Sequence, residues 1–190
     1  MRNKGKTWIL SGLLLIAAAF LLTGYNIYDE HRAKCSARQA LDEIRIEEQD
    51  EEEQEDEPEI PDYILNPDME MPVQRIDGVE YIGVLQIPSL NLELPVVSSL
   101  SPPSLKIAPC RYEGSAYKDD LIIAAHNYVS FFGNLSKLQV GDPVIFKDVD
   151  GNEFVYEVAE LEVLQAAAVE EMRSGDWDLT LFTCTLSGQS

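Results

Sequence analysis

Basic residues are scarce in this chain. Lys and Arg number 14 against 34 Asp and Glu, for a formal net charge of −20 at pH 7. That balance excludes a nucleic-acid binder, which needs a basic face to displace counterions from phosphates. Cysteine is scarcer still. The three that exist, Cys35, Cys110 and Cys184, form no CxxC pair and have no histidine at zinc-ligand spacing. A disulfide framework and a zinc site are therefore both unexpected, and the odd count leaves at least one thiol free or paired outside the chain. No EF-hand-type loop is present, so no metal or other cofactor is expected. No segment recurs at a fixed period, which excludes solenoids and propellers.

What is present divides the chain into unlike parts. Residues 47–59 hold ten acids and no base. Such a run repels itself and has nothing to bury, so a disordered spacer is expected rather than a solvated helix face. At the other extreme, Trp8 to Tyr28 are 21 consecutive uncharged residues, and about 20 suffice for a helix to cross the hydrocarbon core. Trp8 and Tyr25/Tyr28 suit the two interfaces. Arg2, Lys4 and Lys6 on the near side favour a cytoplasmic N-terminus with the rest of the chain outside. A cleaved signal peptide fits less well, because the apolar run continues through Phe20-Leu21-Leu22 beyond the small residues Ala17-Ala18-Ala19. The expected division is a basic cytoplasmic N-terminus (1–7), a transmembrane anchor (8–28), a juxtamembrane helix and acidic spacer (29–70), and an extracellular domain (71–190). On the juxtamembrane helix His31 and Cys35 lie at i, i+4, but two ligands make no metal site, and a solvated helix is expected.

In the extracellular domain, short apolar runs rich in Val, Ile and Tyr are punctuated by Gly, Pro, Asn and Asp. The pattern predicts strands near 80–87, 92–97, 121–125, 143–147, 153–164 and 179–184. Asp150-Gly151 marks a hairpin turn, and Phe131–Leu138 is long enough for one short helical turn. An all-β barrel or sandwich is expected.

Chemistry narrows to two side chains. His126 is the domain's only histidine and follows the apolar strand LIIAA; Cys184 ends TLFTC. Strand ends converge on one rim of a barrel, and an imidazole beside a thiol is the arrangement cysteine nucleophiles use. A free thiol with a pKa near 8.5 is only a few per cent thiolate at neutral pH, and an imidazolium raises that fraction. On spacing alone a structural histidine and a buried apolar cysteine explain the same residues, so both readings stand at this point.

Four segments, in order, resemble the sortases, class B-like or a related cysteine transpeptidase of Gram-positive bacteria. They are YIGVLQIPSLNLELPVV (81–97), LIIAAHNYVSFFGNLSKLQVGDPVIF (121–146), GNEFVYEV (151–158) and TLFTC (180–184). The resemblance implies a sortase-like closed β-barrel with short helices, His126 and Cys184 as catalytic pair, and Thr183 and Asn127 near the substrate. As plain residues Thr183 favours strands and Asn127 favours turns. The implied substrates are secreted proteins with a C-terminal LPxTG-like sorting signal, and the implied acceptor is an amine of a peptidoglycan cross-bridge or a pilin lysine.

The family also places an arginine on the strand after TLxTC. None of the six residues after Cys184 is arginine, and Arg75, Arg111 and Arg173 all precede it. The resemblance therefore implies a sequence that continues into a final strand. Two other readings compete. A non-catalytic exported β-barrel module fits the missing arginine, whereas a papain-like protease requires the cysteine before the histidine.

Overall fold

The computed structural model describes residues 4–52, 60–164, 173 and 177–184. It opens with one long helix, α1 (Lys4–Glu52), followed by a short α2 (Asp62–Leu65). Then come β1 (Gln74–Ile76), β2 (Val79–Ile87), β3 (Leu92–Val97), α3 (Pro102–Leu105) and β4 (Cys110–Glu113). The chain continues through β5 (Leu121–Ala125), β6 (Pro143–Asp148), β7 (Glu153–Glu157) and β8 (Leu179–Thr183).

All strands join one curled sheet in the order β7-β6-β2-β3-β4-β5-β8, with β1 paired to β2. Among the described residues the sheet is open, with β7 and β8 at its edges, so the barrel-like architecture expected from the sequence is present without closing. β2 lies between β3 and β6, and its Tyr81–Leu85 are buried as a continuous run. The core beneath is built on Ile82, Leu85, Ile87, Val96, Leu121, Ile123, Phe131, Phe132 and Phe146. β7 shows the opposite pattern. Glu153, Val155 and Glu157 face out while Phe154 and Tyr156 face in, and outward carboxylates on an edge strand discourage pairing with a second chain. In β2, Gly83 marks a register shift at φ +154°, where a Cβ would fall 2.1 Å from the Lys147 carbonyl oxygen. Only glycine lets β2 and β6 approach this closely.

Several expectations change. Strands β1 and β4 were not read in the sequence, and β7 stops at Glu157 instead of running to residue 164. The helical turn placed at Phe131–Leu138 is a 3-10 turn at Leu135–Lys137. α2 lies before residue 71 and yet packs on the sheet domain, the Tyr63 ring stacking on Tyr117 at 4.6 Å. The acidic run expected to be a disordered spacer is helical through Glu52, propagating from the packed part of α1 with glutamates that favour helix. Residues 53–59 lie outside the described residues.

The largest correction concerns the juxtamembrane helix. It is not solvated all round: Ala33, Ala37, Ala40, Leu41 and Ile44 are buried where α1 lies against β1 and β3. Gln39 donates to Asp77 at 3.0 Å and Arg45 pairs with Glu93, fixing the helix laterally. Toward the N-terminus the same helix is apolar enough to cross a membrane, and its large side chains from Trp8 to Tyr28 are exposed. A lipid bilayer would remove this surface from water.

Candidate active site

β5 and β8 run parallel in an unbroken register, Leu121 opposite Leu179 through Ala125 opposite Thr183. Both therefore exit at the same end of the sheet, and the next residue on each is His126 and Cys184. Adjacent strands lie about 4.8 Å apart. The 58-residue spacing that carried no information in the sequence is the register offset of this strand pair. β5 is buried at every position, as expected of a parallel strand covered on both faces, so the histidine leaves a rigid base.

The chain after His126 is pinned from several directions. Phe132 N–H donates to the His126 carbonyl at 3.3 Å, and Phe131 and Gly133 N–H donate to the Tyr128 carbonyl at 2.9 and 2.8 Å. Phe131 and Phe132 are 0% and 1% exposed, anchoring the loop in the core. A Cβ on Gly133 would sit 2.5 Å from the Asn127 carbonyl oxygen, so the loop closes only over glycine.

The imidazole is half-buried. Desolvation lowers its pKa below the usual 6.5; the Asp29 carboxylate pulls upward and the Lys106 ammonium pushes further down. Cys184 is an exposed free thiol at the open end of β8. Thr183 is half-buried, and its Oγ1 is buried without a hydrogen-bond partner among the described residues. Asn127 starts the pinned loop, half-buried, with its backbone beneath Gly133.

The remaining sequence candidates fall elsewhere. Cys110 is wholly buried in β4, where burial pushes its thiol up to about 12 and Sγ rests 3.4 Å from the Ala108 carbonyl oxygen. That is a packing residue. Cys35 and His31 touch at 3.3 Å on the exposed side of α1. Among the described residues no group of three His, Cys, Asp or Glu is placed to hold a metal. Arg75 pairs with Glu80, Arg111 donates to the Ser98 carbonyl at 2.8 Å, and Arg173 pairs with Glu113. A cleft of about 580 Å³ opens by Ser98, Leu100, Arg111, Glu113, Lys118 and Asp120, and neither His126 nor Cys184 lines it.

Two residues at the site were not singled out in the sequence. Tyr128 packs its ring 5.0 Å from the imidazole, and its hydroxyl donates to Asp29 Oδ2 at 2.7 Å. The partners lie 99 positions apart, so only the docking of α1 brings them together.

Known proteins resemble this chain in sequence and fold. A family model described as a sortase domain matches residues 85–190. Sortase A of Bacillus anthracis is 26% identical over 189 residues, covering 96% of this chain and 89% of that protein. Sortase C1 of Streptococcus agalactiae superimposes with a TM-score of 0.52 at 23% identity, over 68% of this chain and 70% of its own. Sortase A from Corynebacterium diphtheriae gives 0.50 at 20% identity over 57% of this chain, which here spans 55% of that structure. At such identities the two structures speak for the fold alone. The relatives named are of classes A and C, where the sequence pattern had pointed toward class B or a related type.

Proposed function

This chain belongs to the sortase family, and we propose that it is a membrane-anchored cysteine transpeptidase whose catalytic pair is Cys184 and His126. Sortases are cysteine transpeptidases that act on sorting-signal substrates. The single observation that carries the assignment to these residues is the β5–β8 register, whose last pair, Ala125 opposite Thr183, is followed on the two strands by His126 and Cys184.

The chemistry follows from the two groups. Cys184, as thiolate, attacks the carbonyl carbon of the threonine-type residue of an LPxTG-like signal. The C–N bond of the tetrahedral adduct breaks, and the departing amine takes its proton from the His126 imidazolium. A thioester remains on Cys184. An amine from a peptidoglycan cross-bridge or a pilin lysine then attacks it, giving up its proton to His126 and expelling the thiolate. Thr183, with its unpartnered hydroxyl beside the nucleophile, is read as a substrate contact, and Asn127 as a second. The apolar part of α1 anchors the enzyme with its N-terminus in the cytoplasm and the sheet outside.

The test uses the full chain in detergent micelles with a fluorogenic LPxTG-like peptide and an amino-terminated acceptor peptide. Cys184→Ala and His126→Ala should each cut transfer by about 10³-fold or more, as for nucleophile and base in other covalent enzymes. Cys110→Ala should retain it, costing only about 1 kcal/mol of stability. Equal loss in Cys184→Ala and Cys110→Ala, with both folded, would sink the assignment.

If the chain were instead a non-catalytic binding module, iodoacetamide would label Cys184 no faster in the native chain than in His126→Ala.

A further inference from the structure

The first residue after the apolar segment of α1 is Asp29, and the second residue after His126 is Tyr128. The two meet: the Tyr128 hydroxyl donates to Asp29 Oδ2 at 2.7 Å. The next residue of α1 repeats the contact, with Ser130 N–H donating to Glu30 Oε1 at 3.4 Å. Asp29 is itself held, 3.1 Å from an Arg32 guanidinium nitrogen one turn along the helix. On the other side the Tyr128 ring lies against the His126 imidazole, centroids 5.0 Å apart and planes inclined by 36°. It also touches the fully buried Phe131 at 5.7 Å. Burial and the Asp29 carboxylate push the Tyr128 hydroxyl up to about 12, so it remains a proton donor throughout the neutral range.

We propose that Asp29 is a positioning residue for the active-site histidine. It fixes Tyr128, and the Tyr128 ring sets the plane of the imidazole beside Cys184, so the anchor helix is a working part of the active site. This rests on the reading of His126 as the catalytic histidine. A tilted ring held only by its own loop leaves the imidazole free to swing about its side-chain torsions. A charge-assisted hydrogen bond from a helix packed along the sheet removes that freedom.

The charged and titratable groups around the imidazole come from four elements. Asp29, with Arg32 and Glu30 beside it, comes from α1, and Lys106 from the segment after α3. Tyr128 stands on the loop itself, and Cys184 follows β8. Asp29 favours the imidazolium and Lys106 opposes it. Removing one or the other should therefore move the histidine titration in opposite directions.

The experiment uses full-length protein in micelles. Turnover of the LPxTG-like peptide is measured for Asp29→Ala, Tyr128→Phe and their double variant, with NMR titration of the histidine ring protons. Tyr128→Phe keeps the ring packing and serves where Asp29→Ala loses fold. Each single variant should lower kcat by about ten-fold with KM unchanged, as for loss of one hydrogen bond to a charged group. The double variant should be no worse than either single one. The His126 midpoint should fall in Asp29→Ala and rise in Lys106→Gln. Wild-type kcat, additive losses, an effect confined to KM, or an unmoved His126 titration in Asp29→Ala would each overturn the proposal. His126→Ala and Cys184→Ala run alongside. If they too retain turnover, the functional reading itself fails; if they abolish it while Asp29→Ala and Tyr128→Phe do not, only the positioning role fails.

Discussion

Asp148 is wholly buried and fully satisfied. It accepts from the Tyr117 hydroxyl at 2.7 Å, from Asp150 and Asn152 N–H at 3.0 and 2.9 Å, and from the Asn152 amide at 2.9 Å. One carboxylate thus shapes the β6–β7 turn and ties it to the Tyr117–Tyr63 stack. Asp148→Ala should remove the shared acceptor of these four donors and cost at least about 3 kcal/mol, read by urea denaturation. Gly133→Ala should disturb the loop behind His126, lowering kcat more than it lowers the melting temperature. Burial of His126 has a pH signature of its own. Its folded pKa lies below 6.5, so the unfolded chain takes up the proton first as pH falls. The histidine's contribution is complete above that value and declines below it. His126→Gln should therefore lose less stability between pH 7.5 and 5.5 than wild type. At this scale the motifs around Cys184 and His126 pointed to the proposed pair. It could not expose Asp29 or Tyr128, whose roles exist only once α1 is docked.

Among the elements, what was readable depended on how strongly each segment announces itself. β2, β3 and β5 carry apolar runs of four or more residues and β8 stands out through its TLFTC motif, and all four were placed almost to the residue. β1 is three residues long and nearly polar, yet Asp77-Gly78, at φ +50° and +81°, forms the two-residue turn that joins it to β2. That dipeptide was a usable hairpin signal. β4 offers only Cys110–Glu113, two of them charged, and is defined by its neighbours. In α1 the buried positions 33, 37, 40, 41 and 44 follow i, i+4, i+7, i+8, i+11, a clean helical stripe. Three of the five are alanine, whose weak hydrophobicity hid the stripe among charges. Alanines there let the helix lie close to β3, so Ala37→Leu should overpack the seam and cost about 1–3 kcal/mol in chemical denaturation.

For the molecule as a whole, α1 has two lives, apolar and exposed up to Tyr28, packed on the sheet from Ala33 onward. A chain beginning at Asp29 should remain folded without detergent. One beginning at Pro61 should lose the burial of Leu41 and Ile44, about 3–6 kcal/mol by transfer from water, and melt earlier in calorimetry. The unbroken helix has a further consequence, one of altitude. With residues 8–28 in the bilayer, the contacts of Asp29 and Glu30 with Tyr128 and Ser130 hold the His126 loop at the lipid surface. Arg45, about 25 Å further along the axis, marks the far end. The helix is then a stilt cut to one length. Seven helical residues inserted between Tyr28 and Asp29 would raise the site by about 10 Å and nearly preserve its facing. Such a variant should turn over free peptide normally and fail on substrates whose own membrane segment begins close behind the cleaved bond.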